Sequence, residues 1–164
     1  MPSKKKSPRK PTKRAKRTRR AKLPAARQRA TKARRQPETL RLRASNPGFT
    51  VADIATSVAW YQTVLGCILV DRWERDGKLM GATLRAGIVD FHLAQDDWRK
   101  GRDRQKGEGF RLYCVTGQDV ESLAAAIKAR GGTLLHEPQT EPWGERDFAL
   151  ADPDGFKITI SQGR

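Results

Sequence analysis

Chemistry in this chain of 164 residues must come from few groups, because it holds only two histidines and two cysteines. His92 stands between Phe91 and Leu93 in an apolar run, so in an extended strand it projects away from both. Asp90 shares its parity and could serve with it as an acid–base pair, as could a residue from elsewhere in the chain. His92 is therefore the best candidate for a catalytic role. An ordinary hydrogen-bonded strand histidine is the competing reading. His136 is followed by Glu137 and Pro138 and reads as a surface loop residue. Cys67 and Cys114 lie in apolar runs, which suits buried, reduced thiols, and no spacing suggests zinc or a redox pair. There is no Gly-x-Ser-x-Gly elbow, no glycine-rich phosphate loop after a strand, and no histidine near either cysteine in sequence.

Binding is easier to read than covalent chemistry. Trp98, Phe110, Tyr113 and Trp143 could supply stacking surface, and Asp90, His92, Arg111 and Arg146 could supply polar anchors. A mostly apolar cavity with a few such groups is what a small-molecule site needs. Packing roles compete for several of them. Phe110 suits a core, Trp143 a strand end, and Arg111 and Arg146 exposed strand positions. Trp98 lies in a polar stretch and favours a groove or a dimer contact. Trp60 and Tyr61 suit helix packing.

The elements that must position these groups begin with the segment 142–160. Asp152-Pro153-Asp154-Gly155 is a tight turn, with Phe148 and Leu150 alternating before it and Phe156, Ile158 and Ile160 after it. Period 2 on both sides of a turn predicts a hairpin with one buried face. Upstream, Asn46–Val51 reads as a first strand. Asp53 caps a helix whose Ile54, Val58, Tyr61 and Leu65 form one stripe, and Gly66 ends it. Strands follow at about 67–72, 80–84 and 88–94, the first two joined through Asp76-Gly77. Residues 95–108 are polar and read as a linker. The pattern then restarts with a strand at 110–116, a helix capped by Asp119 and ended by Gly131-Gly132, a strand at 133–136, and the final hairpin. Asp53 and Asp119 are 66 apart and Gly66 and Gly131 are 65 apart, which marks an internal repeat.

Val51-Ala52-Asp53, the helix end Trp60-Tyr61-Gln62-Thr63-Val64-Leu65-Gly66, and Asp152 to Gly155 together resemble the vicinal oxygen chelate superfamily of glyoxalases, bleomycin-resistance proteins and extradiol dioxygenases. The resemblance covers about residues 46–162. It implies an α+β fold of two βαβββ modules, about 46–94 and 109–161, whose curved mixed sheets surround a cavity with the helices outside. It also implies a homodimer, since modules of two chains pair in the bleomycin-resistance branch. Metal-dependent members hold a divalent metal with His, His and Glu. Carried over, those positions fall at Asn46, at Phe110 or, one register on, Arg111, and at Thr159. A fourth carboxylate position falls near His92. Asn and Thr are weak neutral ligands, and Phe and Arg offer no donor. The expectation is therefore no resident metal or other cofactor. What remains resembles the metal-free members, with Asn46, Asp90, His92, Trp98, Phe110, Arg111, Trp143, Arg146 and Thr159 as candidate ligand contacts. A lyase, isomerase or dioxygenase with an atypical site is the alternative.

Charge separates the chain into two parts. Residues 1–44 hold 19 Lys or Arg against one acid, Glu38, whereas residues 45–164 hold 15 against 17. The net charge of +16 thus belongs to the first segment. With almost no apolar residue larger than Ala it predicts a disordered arm. Lys4, Lys5, Lys6, Arg9, Lys10, Lys13, Arg14, Lys16, Arg17, Arg19 and Arg20 could neutralise phosphates without reading sequence, giving weak binding to nucleic acid or another polyanion. No apolar run suits a membrane span or a secretory signal. The expected location is cytoplasmic, with nucleoid association as an option. Organellar targeting fits the lysine block and prolines less well.

Overall fold

A computed structural model describes residues 44–163 of the chain. The expected phosphate-binding arm, from Lys4 to Arg20, lies outside the described residues.

The repeat seen in the sequence is a repeat of topology. The first module comprises β1 (Gly48–Val51), α1 (Ile54–Thr63), β2 (Ile68–Arg75), β3 (Lys78–Ala86) and β4 (Val89–Gln95). The second comprises β5 (Arg111–Thr116), α2 (Val120–Ala129), β6 (Leu134–Thr140), β7 (Arg146–Ala151) and β8 (Lys157–Gln162). The sheets run β1-β4-β3-β2 and β5-β8-β7-β6, and in each the first strand lies parallel to the last. Both modules follow from local rules. Asp53 accepts a hydrogen bond from the Thr56 N–H at 2.7 Å, and Asp119 accepts from the Ser122 N–H at 2.9 Å, so each carboxylate satisfies a free donor in the first helical turn. Gly66 (φ +77°) and Gly131 (φ +87°) take the left-handed conformation that ends each helix. Asp76 and Gly77, both at positive φ, make the two-residue turn that pairs Arg75 with Lys78.

β6 runs to Thr140, past Pro138, where the sequence suggested an end at His136. A proline breaks a central strand but is tolerated at an edge, and β6 is the edge of its sheet. His136 is accordingly a half-buried strand residue, which corrects its reading as part of a surface loop.

One face of each sheet is apolar and packs on its helix. Phe49, Val51, Leu84, Phe91 and Leu93 meet Ile54, Val58 and Tyr61. Phe148, Leu150 and Ile158 share the same contiguous core with Val120, Ala124 and Ile127. Aromatic rings join the modules: Phe156 stacks on Phe49 at 4.5 Å between centroids, and Phe110 meets Phe49 edge-on at 5.7 Å. A polar latch lies beside them. The Tyr61 hydroxyl donates to Asp152 Oδ2 at 3.1 Å, and Asp152 Oδ1 accepts from the N–H groups of Asp154 and Phe156. Asp154 in turn accepts from the Ala52 N–H at 2.8 Å and from the Ser57 hydroxyl at 3.4 Å. The turn of the second module is thereby fixed to the start of α1 in the first. Burial, and after it the negative charge of Asp152, push the Tyr61 phenol far above its ordinary value, so it stays a donor.

The linker is pinned by Asp96. Its buried carboxylate pairs with Arg104 and Lys106 and accepts from the Trp98 N–H at 2.9 Å. The Lys106 hydrogen bond is the leading cause that holds this carboxyl well below the usual carboxylate range. Among the described residues no helix is long and apolar enough to cross a membrane.

Tyr61→Phe removes the hydroxyl that donates to Asp152 Oδ2 and keeps the ring. It is expected to destabilise the domain by about 1–2 kcal/mol, whereas Tyr113→Phe at an exposed site should cost about 0.5 kcal/mol or less. Urea unfolding of the two variants checks this.

Candidate functional site

Alternation along the strands leaves each sheet a second, open face, and the candidate residues distribute over these two faces. On the first sheet, Thr83 and His92 are cross-strand partners, and the Thr83 hydroxyl lies 3.1 Å from His92 Nδ1. His92 is exposed. Asp90, two residues before it, is held by Arg85 through two hydrogen bonds of 2.6 and 2.9 Å. The Arg85 guanidinium is the first cause that lowers the Asp90 carboxyl below its ordinary value. The acid–base pair expected of Asp90 and His92 therefore takes a different form, with Asp90 committed to Arg85 and His92 to Thr83. Asn46 lies exposed just before β1, and the Pro47 carbonyl accepts from the His92 N–H at 2.9 Å. Sequence reading missed Trp73, whose ring covers Gly81 on this face. A Cβ at Gly81 would stand 1.8 Å from that ring, so only glycine lets the indole lie flat there.

The second open face is richer. Tyr113, Thr159, Ala149 and His136 form one row across all four strands, and Val115, Ser161, Asp147 and Gln139 form the next. The two readings of the β5 register now separate. Phe110 precedes β5 and turns to the aromatic seam, while Arg111 reaches Thr159, with Nη1 3.4 Å from Oγ1. Trp143 projects from a compact turn in which the Glu141 N–H donates to the Glu145 carbonyl at 2.7 Å. Its indole N–H donates to Glu145 Oε2 at 3.1 Å, and the Tyr113 hydroxyl donates to the same oxygen at 2.6 Å. Tyr113 and Trp143 are 44% and 58% exposed, so two partly exposed aromatic rings share one carboxylate. Asp147 is buried among these polar groups, and burial followed by the charge of Glu141 pushes its carboxyl above the ordinary value.

The structure does not bring the other candidates here. Arg146 pairs with Glu121 on α2 and reaches Thr140 and the Pro138 carbonyl, which makes it a staple between helix and sheet. Trp98 lies within the linker under the cations Arg102 and Lys106, at 4.7 and 5.2 Å from its ring centre. A largely apolar cavity of about 410 Å³ lies on the helix side and is lined by Cys67, Cys114, Leu123, Ile127 and Ile160, with Arg130 among its polar members. Burial pushes the Cys67 thiol up to about 11 and raises Cys114 as well, so neither is an activated nucleophile.

The positions that would carry a family metal do not fit one. Asn46 and Thr159 are neutral oxygen donors, and the Arg111 guanidinium already places a positive charge at Thr159. The fold defines a class, paired βαβββ modules whose sheets each keep an open face, and comparison gives that class its family. The family model described as Glyoxalase/Bleomycin resistance protein/Dioxygenase superfamily matches residues 44–160, and the chain belongs to that family. It is similar to the bleomycin resistance protein of Geobacillus stearothermophilus, 31% identical over 133 residues, covering 72% of this chain and 95% of that protein. It is also similar to the "Probable lactoylglutathione lyase, chloroplastic" of Arabidopsis thaliana, 28% identical over 116 residues. That match covers 68% of this chain and spans 33% of the length of that protein. In fold it resembles TioX from Micromonospora sp. ML1, with TM-score 0.60, 20% identity, and coverage of 73% of this chain and 98% of that one.

The hydrogen bond from Tyr113 to Glu145 is the leading cause that raises the Tyr113 phenol above its ordinary value. That bond and the carboxylate charge both favour the protonated phenol. Glu145→Gln should therefore lower the pH at which the first of the two tyrosines ionises. Phenolate absorbance across an alkaline titration reads this directly, since Tyr61 ionises only when the fold opens.

Proposed function

We propose that this chain is a small-molecule-binding protein that takes an aromatic, cationic ligand on its open sheet faces without a metal at the family positions, and that it works as a homodimer. The observation that carries the reading is the pair of exposed rings, Tyr113 and Trp143, hydrogen-bonded to one carboxylate, Glu145. Exposed aromatic surface beside a negative charge attracts a flat cation by stacking, hydrophobic burial and Coulomb attraction together. Arg111 and Thr159 add a polar anchor on the same face. The likeness to a bleomycin resistance protein along nearly its whole length supports sequestration as the purpose. The open faces leave both modules available to a second copy, which supports the dimer. A lyase or dioxygenase reading has less support, because His92 has a threonine partner and an exposed setting, and the family metal positions hold Asn46, Arg111 and Thr159.

A cationic aromatic dye or glycopeptide should quench tryptophan fluorescence at micromolar concentration. Trp143→Ala and Tyr113→Ala should each weaken binding about tenfold, in line with about 1–3 kcal/mol for a lost stacking platform. Absence of quenching by any such compound would remove the reading.

A second role is proposed for the basic segment, and the charge distribution favours it: 19 cations in residues 1–44 precede a slightly acidic domain. Affinity for duplex DNA should fall steeply with salt and disappear on deletion of residues 1–44. Equal binding by the shortened chain would contradict it.

A further inference from the structure

The second open face contains a buried carboxylate with one oxygen left without a donor. Asp147 is 2% exposed, and its Oδ1 has no hydrogen-bond partner. A buried anion in that state is costly unless a positive charge stands against it. His136 Nε2 lies 3.8 Å from Oδ1. His136 Nδ1 lies 3.1 Å from the Glu137 carbonyl oxygen, which can only accept, so Nδ1 carries the hydrogen. In the neutral ring this leaves the Nε2 lone pair turned toward the lone pairs of Asp147. Glu141 adds a third acceptor. One ligand atom each from His136, Glu141 and Asp147 lies within 4.8 Å of the others. Three acceptors that converge on one point call for a cation between them.

The backbone is shaped for this convergence. Two register shifts bracket His136 in the pairing of β6 with β7, and such bulges re-aim a side chain. The residue opposite His136 is Ala149, which leaves room above it. Outer partners orient the donors, as they do in metal sites: the Glu137 carbonyl fixes the imidazole, and the Gln139 side-chain amide donates to Glu141 Oε1 at 2.8 Å.

We propose that His136 Nε2 and the carboxylates of Glu141 and Asp147 bind a first-row divalent cation, with zinc and manganese the fitting chemistries. One imidazole and two carboxylates form a mixed nitrogen and oxygen set suited to these ions, and three protein donors leave coordination positions free. The site belongs to β6, β7 and their connection within one module. The family positions lie instead at Asn46 and on β4, β5 and β8. The cation therefore does not depend on the ligand reading given above, which rests on Tyr113 and Trp143.

The test uses the full chain, stripped with a chelator and titrated with zinc chloride or manganese chloride. The chain has only two histidines, so imidazole NMR signals assign the site without a variant. One equivalent of zinc should shift the His136 Nε2 resonance, and manganese should broaden His136 signals ahead of those of His92. Asp147→Asn and Glu141→Gln should each weaken zinc binding at least tenfold. Fluorescence quenching by an aromatic cation should persist in Asp147→Asn, which separates this proposal from the ligand reading. An unchanged His136 signal at millimolar zinc would overturn the cation site, as would unchanged affinity in Asp147→Asn or a response at His92 alone. If Asp147→Asn fails to fold, the His136 signals of the unaltered chain decide.

Discussion

The two modules are one domain because Asp152 and Asp154 hold them together. Asp152 is buried in the second module, yet one of its oxygens depends on a hydroxyl from the first, that of Tyr61. Asp154 completes the arrangement by accepting from Ala52 and Ser57 at the entry to α1, where an anion also complements the helix N-terminus. A turn with proline at its second position is stiff, so these bonds fix direction as well as distance. The stacked rings of Phe49, Phe110 and Phe156 supply the apolar part of the same joint. Without the polar part, two βαβββ units would share an apolar surface with no defined register between them.

With that joint on the helix side, the opposite faces of both sheets stay open, and they differ in side-chain chemistry. The first face holds His92 with Thr83, the Arg85–Asp90 ion pair, and Trp73 lying over Gly81. The second concentrates charge: Arg111 at Thr159, Glu145 between two aromatic rings, and Asp147 with His136 and Glu141. A family metal would have to displace the Arg111 guanidinium. The arginine instead places a fixed positive charge at that position, which attracts anions.

Much of this was legible in the sequence wherever the cause is local. Asp53 and Asp119 as caps, the Asp76-Gly77 turn, and the alternation around Asp152-Pro153 give the elements, and their recurrence gives the modules. The face of Thr159 follows from the parity of Ile158 and Ile160. The register of Phe110 against Arg111 was open because Gly107 and Gly109 leave the strand start undefined, and it is settled by the rings of Phe49 and Phe156. The partners of Arg146 and Trp98, Glu121 and the linker cations, were not legible because tertiary placement decides them. His136 escaped because bulges across two strands aim it, and Pro138 suggested a loop. Asp147 could have been found, since it alternates against Phe148 and Leu150 and so must stand on the open face.

The identical strand order of the two sheets bears on how such a chain changes over generations. A duplicated unit starts with the same residues on both open faces, and the latch and seam demand little of either. Substitutions on one face therefore leave the joint and the other face intact. One half can keep a plain scaffold while its twin accumulates charged and aromatic side chains. The chemistry of one open face can then change through a single half of the gene, at little risk to folding.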